Sequence, residues 1–152
     1  MQVNIFTDGS ALGNPGPGGY CVILQRGTHY KELSRGYKLT TNNRMELMAV
    51  IAGLESLKKK GLDVTIHSDS TYVVKAVELG WLAKWQATGF NKKKNTDLWM
   101  RYLRAAEGQR IHFVWIKGHA GHSQNERCDR LAVAAASAPE SELRVDEGCV
   151  SQ

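Results

Sequence analysis

The stretch Val3-Asn4-Ile5-Phe6-Thr7-Asp8-Gly9-Ser10 most narrows what this chain can fold into. Val3, Ile5 and Phe6 are β-branched or aromatic and suit a buried strand. The run stops at an acid followed by glycine. Asp8 is therefore expected at the carboxyl end of a central strand, where open α/β sheets carry their chemistry. Asp and Gly are also ordinary turn formers, so Asp8 alone decides little. What shifts the balance is recurrence: Glu46, Asp69 and Asp129 also sit at the edges of apolar elements.

The chain in order predicts an α/β fold. Leu12–Gly19 is dense in Gly, Pro and Asn and reads as a turn segment. It leads into a second strand, Tyr20–Gln25. A third strand over 29–38 alternates poorly and is expected at a sheet edge. Short loops make these three strands an antiparallel meander. Thr40-Thr41-Asn42-Asn43 offers helix-starting residues. Met45, Met48, Ile51, Leu54 and Leu57 follow at helical spacing, predicting a helix through Lys60 that ends at Gly61. Strands are expected at Val64–Ser68 and Ile111–Ile116. Helices are expected at Ser70–Leu79, Asn95–Glu107 and 123–136, the last opened by the capping-box pattern Ser123-Gln124-Asn125-Glu126. The order βββαβααβα predicts a mixed five-stranded sheet flanked by helices. Its first, fourth and fifth strands should be parallel because helices connect them.

A chain of 152 residues with 42% hydrophobic content forms one domain and can bury a core without metals or disulfides. Cys21, Cys128 and Cys149 are odd in number and have no paired spacing, which points to a reducing compartment and a cytoplasmic location. No run reaches the ~18 apolar residues of a membrane span, and the amino end has no signal pattern. The domain is expected over 1–137, with 138–152 a disordered acidic tail. Charge divides along that boundary. The whole chain has 20 Lys and Arg against 15 Asp and Glu. One base, Arg144, and four acids, Glu140, Glu142, Asp146 and Glu147, lie in the tail, leaving 19 against 11 in the body. A basic body suits an anionic partner, nucleic acid first, although such a charge can also serve solubility alone.

Each of the four acids has a plain alternative. Glu46 could complete a capping box with Asn43, Asp69 could start the next helix, and Asp129 could favour a helix amino end through the dipole. A strand-end arrangement would instead bring all four to one edge of the sheet. Clustered carboxylates raise one another's pKa unless a cation sits among them, and oxygen-only ligands suit Mg²⁺ or Mn²⁺. Two such ions can activate a water and stabilise a leaving oxygen in phosphoryl displacement.

At this point the chain resembles the bacterial type 1 ribonuclease H family. The resemblance rests on Thr7-Asp8-Gly9-Ser10 with the glycine turn to Gly19, and on Thr40-Thr41-Asn42-Asn43-Arg44-Met45-Glu46-Leu47. It also rests on Asp69-Ser70 with Tyr72-Val73, and on Gly118-His119-Ala120-Gly121-His122 with Asn125-Glu126-Arg127-Cys128-Asp129. It covers about residues 1 to 136. It implies a ribonuclease H-like fold and an endonuclease that cuts the RNA strand of RNA–DNA hybrids with divalent metal, two ions once substrate is bound. The products would carry 5′-phosphate and 3′-hydroxyl ends. It further implies that Asp8, Glu46, Asp69 and Asp129 hold the metal, and that His119 positions or deprotonates the attacking water or assists product release. His119 and His122 lack a third soft ligand nearby, which sets zinc aside.

The resemblance also implies a substrate surface. Asn14, Asn42 and Asn43 match positions that contact substrate, and amides can pair with the 2′-hydroxyl in either role. Turn and helix-start duties would equally explain these three. Thr41 and Asn95 match a pocket for a phosphate of the DNA strand. Trp81 matches an aromatic on the DNA side, with Trp85 on the same helix. Lys92, Lys93 and Lys94 resemble a basic handle, shorter than is usual and with Phe90 where a tryptophan is common. Three adjacent lysines also fit a solvated loop, and tryptophans at helical spacing also fit a core. A monomer is expected. Two rivals remain: a module that binds nucleic acid without cutting, and an integrase- or resolvase-like nuclease on the same fold. The intact acids speak against the first; the Gly118–His122 loop and the Asn42-Asn43 pair speak against the second.

Overall fold

The computed structural model describes residues 2–90, 94–117 and 123–149. Five strands form one sheet: β1 (Gln2–Ala11), β2 (Gly16–Arg26), β3 (His29–Thr40), β4 (Asp63–Ser68) and β5 (Arg110–Trp115). Their order is β3-β2-β1-β4-β5. β1–β2 and β2–β3 are antiparallel, while β1–β4 and β4–β5 are parallel. This is the mixed sheet expected from the element order, with β3 at an edge.

The helices are α1 (Asn42–Glu55), α2 (Thr71–Glu78), α3 (Trp81–Ala87), α4 (Thr96–Ala106) and α5 (Ser123–Ala136). α3 is an addition to the expected order; its seven residues follow Gly80, which holds a left-handed φ of 76°. Alternation along β1 divides the core. Val3 and Ile5 face a large cluster with Val22, Leu54, Val64, Ile66 and Trp99. Phe6 faces the other way, packing with Cys21, Ile23, Cys128 and Ala132 beneath α5. Burying each such aliphatic side chain contributes about 1.5–3 kcal/mol. α5 lies close on β2 and β3 because Gly19 and Gly36 stand beneath it. A Cβ on either would collide with the helix backbone at Ala132 or Ala135.

Three expectations need correction. β1 does not stop at Asp8. It continues to Ala11 because β2 begins early, at Gly16, and pairs back as far as Ala11↔Gly18. The pairing with β4, however, ends at Phe6↔His67, so Asp8 sits where β1 parts from its parallel neighbour. α1 ends at Glu55, not Lys60. Ser56 closes it, its hydroxyl donating to the Gly53 carbonyl at 2.7 Å, and Lys58–Lys60 lie beyond the helix.

The tail is the third correction, for its described part. Residues 140–142 form a 3₁₀ turn, Glu140–Glu142. Arg144 bridges to β3, its N–H donating to the Gly36 carbonyl at 2.9 Å and its carbonyl accepting from Lys38 N–H at 2.8 Å. Asp146 is buried. An acidic segment can order here because Arg44, itself buried, takes the Asp146 charge (Nε to Oδ2, 2.8 Å).

Candidate active site

Asp8 projects from β1 beside the first turns of α1, which carry Glu46, and near Asp69, which follows β4. One carboxylate oxygen from each of these three residues lies within 4.8 Å of the other two. Gly9 permits this closeness. A Cβ there would run into the backbone of Met45 and Glu46. Asp8 Oδ1 accepts from Gly9 N–H at 2.9 Å.

The capping alternatives for two of the acids fall away. α1 is capped by Thr41, whose hydroxyl accepts from Arg44 N–H at 3.2 Å, so Glu46 is not needed for a box with Asn43. α2 is capped by Ser70, whose hydroxyl accepts from Val73 N–H at 3.2 Å, so Asp69 is not the cap. Asp69 is held instead through its carbonyl, which accepts from the Trp115 indole at 3.3 Å.

The cluster is electrostatically tense. Burial first, then the neighbouring charges of Asp8 and Asp69, push the Glu46 carboxyl well above the usual carboxylate range. Its Oε2 is buried with no hydrogen-bond partner among the described residues. A buried acceptor with nothing to accept from, in an oxygen-only donor set, fits a hard divalent cation. Asp129 lies on α5 and is half-buried, but it does not join the three-carboxylate cluster.

Several of the expected substrate residues lie together at the start of α1, and two of them make structural hydrogen bonds. Asn14 Oδ1 accepts from Asn42 N–H at 3.2 Å, and Asn42 Oδ1 accepts from Ala11 N–H at 2.7 Å. These two amides therefore tie the glycine-rich turn to the start of α1, and both residues remain exposed. Asn43 is exposed next to them. Asn14, Thr41, Asn43, Lys94 and Asn95 line one cavity of about 660 Å³. The Asn95 amide is turned inward. Its oxygen accepts from Arg44 Nη1 at 3.2 Å and its nitrogen donates to the Tyr72 hydroxyl at 3.1 Å.

Trp81 is 40% exposed on α3. Trp85 is not beside it on the surface: it is half-buried, with its ring edge-on to Trp99 at 5.9 Å. His119, Lys92 and Lys93 lie outside the described residues. Sequence reasoning overlooked Arg44, Asp97 and Gly148, which line the cavity, and Asp146, which pairs with Arg44. Arg44 stood inside a quoted motif, where an arginine in an apolar helix face was the available signal. Nothing in the tail sequence pointed to Asp146.

The RNase H family model matches residues 1–137. The chain belongs to the ribonuclease H family. It is 54% identical over 149 residues to the ribonuclease H of Desulforamulus reducens, covering 95% of this chain and 93% of that protein. It is 56% identical over 147 residues to that of Salmonella arizonae, covering 93% of each. Among solved structures, LC9-RNase H1, a type 1 RNase H with the type 2 active-site motif, superposes with a TM-score of 0.79 at 32% identity. That match spans 90% of this chain and 72% of the other. LC11-RNase H1, solved in complex with an RNA/DNA hybrid, gives 0.61 at 26% identity over 89% and 96% of the two chains. This ribonuclease H is thus an enzyme of the kind expected from its motifs, and neither the non-cutting module nor the integrase-like nuclease is favoured. Among its described residues, no helix is long and apolar enough to cross a membrane.

Proposed function

We propose that this ribonuclease H hydrolyses the RNA strand of RNA–DNA hybrids at the Asp8–Glu46–Asp69 cluster, leaving 5′-phosphate and 3′-hydroxyl ends. The observation that carries the reading is the convergence of three carboxylates within 4.8 Å around a buried, unsatisfied Glu46 oxygen. Asp129 is the fourth carboxylate of the site. Bound there, Mg²⁺ or Mn²⁺, two ions with substrate present, would supply charge stabilisation for an in-line attack of water. The protein's own part is positioning: β1 carries Asp8, its parallel neighbour β4 delivers Asp69 just past its end, and α1 supplies Glu46.

Around that centre, Asn14, Asn42 and Asn43 read the 2′-hydroxyl with the amide groups their structural bonds leave over. Thr41, Lys94 and Asn95 hold a phosphate of the DNA strand where the amino ends of α1 and α4 meet. Trp81 packs on the DNA side, with Trp85 anchoring α3 against Trp99. Lys92 and Lys93 extend the basic handle, and His119 orients or deprotonates the water or assists product release. The protein works as a monomer in the cytoplasm.

The test is a cleavage assay with one labelled RNA strand, offered as hybrid, as double-stranded RNA and as single strand, with Mg²⁺, Mn²⁺ or chelator. Metal-dependent cutting of the hybrid alone is expected. Tight hybrid binding without cutting under any metal would refute the proposal.

A further inference from the structure

The tail reaches the wall of the proposed phosphate cavity. Asp146 is buried, its side chain 3% exposed, and both its oxygens are engaged. Oδ2 accepts from Thr40 Oγ1 at 2.7 Å and from Arg44 Nε at 2.8 Å; Oδ1 accepts from Arg44 Nη2 at 2.9 Å. The other edge of the same guanidinium meets Asp97, with Nη1 to Oδ1 at 3.0 Å and Nη2 to Oδ2 at 2.7 Å. Nη1 also reaches Asn95 Oδ1 at 3.2 Å. One planar group is thus clamped on both edges, and it hands that fixity to Asn95.

Asn95 needs such a clamp. It caps α4 in the left-handed region, at φ 61°, which costs energy for any residue with a Cβ, though least for Asn and Asp. No side-chain cap bond holds it. Its amide oxygen accepts from Arg44 and its amide nitrogen donates to Tyr72. The cavity wall is closed by the same strap. Gly148 and Cys149 line it, and a Cβ on Gly148 would collide with Asp97 and with Arg44.

We infer that Asp146 is a positioning residue for substrate binding: through Arg44 it fixes Asn95 and the start of α4 against Thr41, and so sets the shape of the phosphate cavity. The inference rests on the reading of that cavity as a DNA-strand phosphate site. Two effects compete when the Asp146 charge is removed. Loss of a buried partner disorganises the remaining arginine. Loss of a negative charge near the cavity strengthens attraction for phosphate, but that attraction is screened in a solvent-open site. The first effect outweighs the second, so removal weakens binding.

The test compares the native chain with Asp146→Asn and Gly148→Ala. The second variant keeps the carboxylate but displaces the strap, so it serves if the first is too unstable. Steady-state cleavage is measured below the melting temperature of each, on hybrids carrying one uncharged methylphosphonate walked along the DNA strand. In the native chain, one position should raise KM roughly five-fold, the size of one lost hydrogen bond of ordinary net strength. Asp146→Asn should raise KM on the unmodified hybrid by a similar factor of about five, with kcat within about two-fold. At the sensitive position it should show no further increase, because the pocket is already lost. A native chain with no sensitive position removes the phosphate reading beneath the inference. A sensitive position that Asp146→Asn leaves fully sensitive overturns the inference alone. So does a fall in KM, which would make the strap inhibitory, or an equal loss in kcat.

Discussion

Asp8→Asn should make the metal-free protein more stable and inactive at once. The substitution keeps the shape of the side chain and removes one charge from a cluster whose oxygens lie within 4.8 Å. Two unit charges at that separation repel by roughly 3 kcal/mol at an effective dielectric near 20. Part of this is already relieved, because Glu46 holds its proton above the usual carboxylate range. The gain is therefore about 1–3 kcal/mol, or about 2–10 °C in melting temperature for a chain of this length. The sign follows from linkage. A carboxyl whose folded pKa is raised contributes full stability below its unfolded pKa and loses it as pH rises through the folded value. The advantage of Asp8→Asn should accordingly grow from acid to neutral pH. The assay is thermal melting by circular dichroism between pH 4.5 and 8, in chelator and in Mg²⁺, with hybrid cleavage measured alongside. Mg²⁺ should raise the native melting temperature more than that of the variant. A variant that melts lower than the native chain in chelator would refute the argument that the three carboxylates repel in the fold. Full cleavage activity would refute the role given to Asp8.

Three further outcomes are expected. Gly9→Ala should cost at least about 1–3 kcal/mol by forcing β1 away from α1, since the new methyl meets the Met45 and Glu46 backbone; urea denaturation measures the loss, and cleavage should fall with it. Hybrid affinity should drop steeply between 50 and 200 mM salt as a basic surface releases counterions, with a negative log–log slope; a flat response in a filter-binding assay would remove the basic face as the contact surface. Arg44 holds the Asp97 carboxyl below its usual range by hydrogen bonding, so the stability from that contact is present above the unfolded pKa and is lost as pH falls through the lower folded value. Asp97 is half exposed, so solvent screening limits the effect to under about 1 kcal/mol; denaturation curves of Asp97→Asn and the native chain should differ at pH 6 and draw together as pH falls through and below the ordinary Asp range.

What could be read from the sequence follows from which signals are local. Strand alternation in Val3–Phe6 and helical spacing from Met45 to Leu54 are properties of a few neighbouring residues, so the sheet, its two parallel pairs and the body of α1 were legible. The three clustered acids were legible because each borders an apolar run; in the fold Asp8 stands where β1 parts from β4, Asp69 just after β4 and Glu46 in the first turns of α1. The extent of β1 was not legible. It depends on a partner strand that begins at Gly16 inside a segment that looks like turn alone. Trp85 shows the same limit in a side chain, because only packing against Trp99 distinguishes a core ring from a surface one. The tail is the sharpest case. Its composition reads as disorder because four acids seem to have no reason to be buried. One of them, Asp146, is buried only because a single arginine about a hundred residues earlier sits inside a helix face with its charge unspent. A charge that looks misplaced in an apolar helix is thus itself a long-range signal. Arg44 calls for a carboxylate, Asp97 meets half of that need, and the segment that supplies the rest is drawn onto the enzyme beside the site where its substrate is proposed to bind.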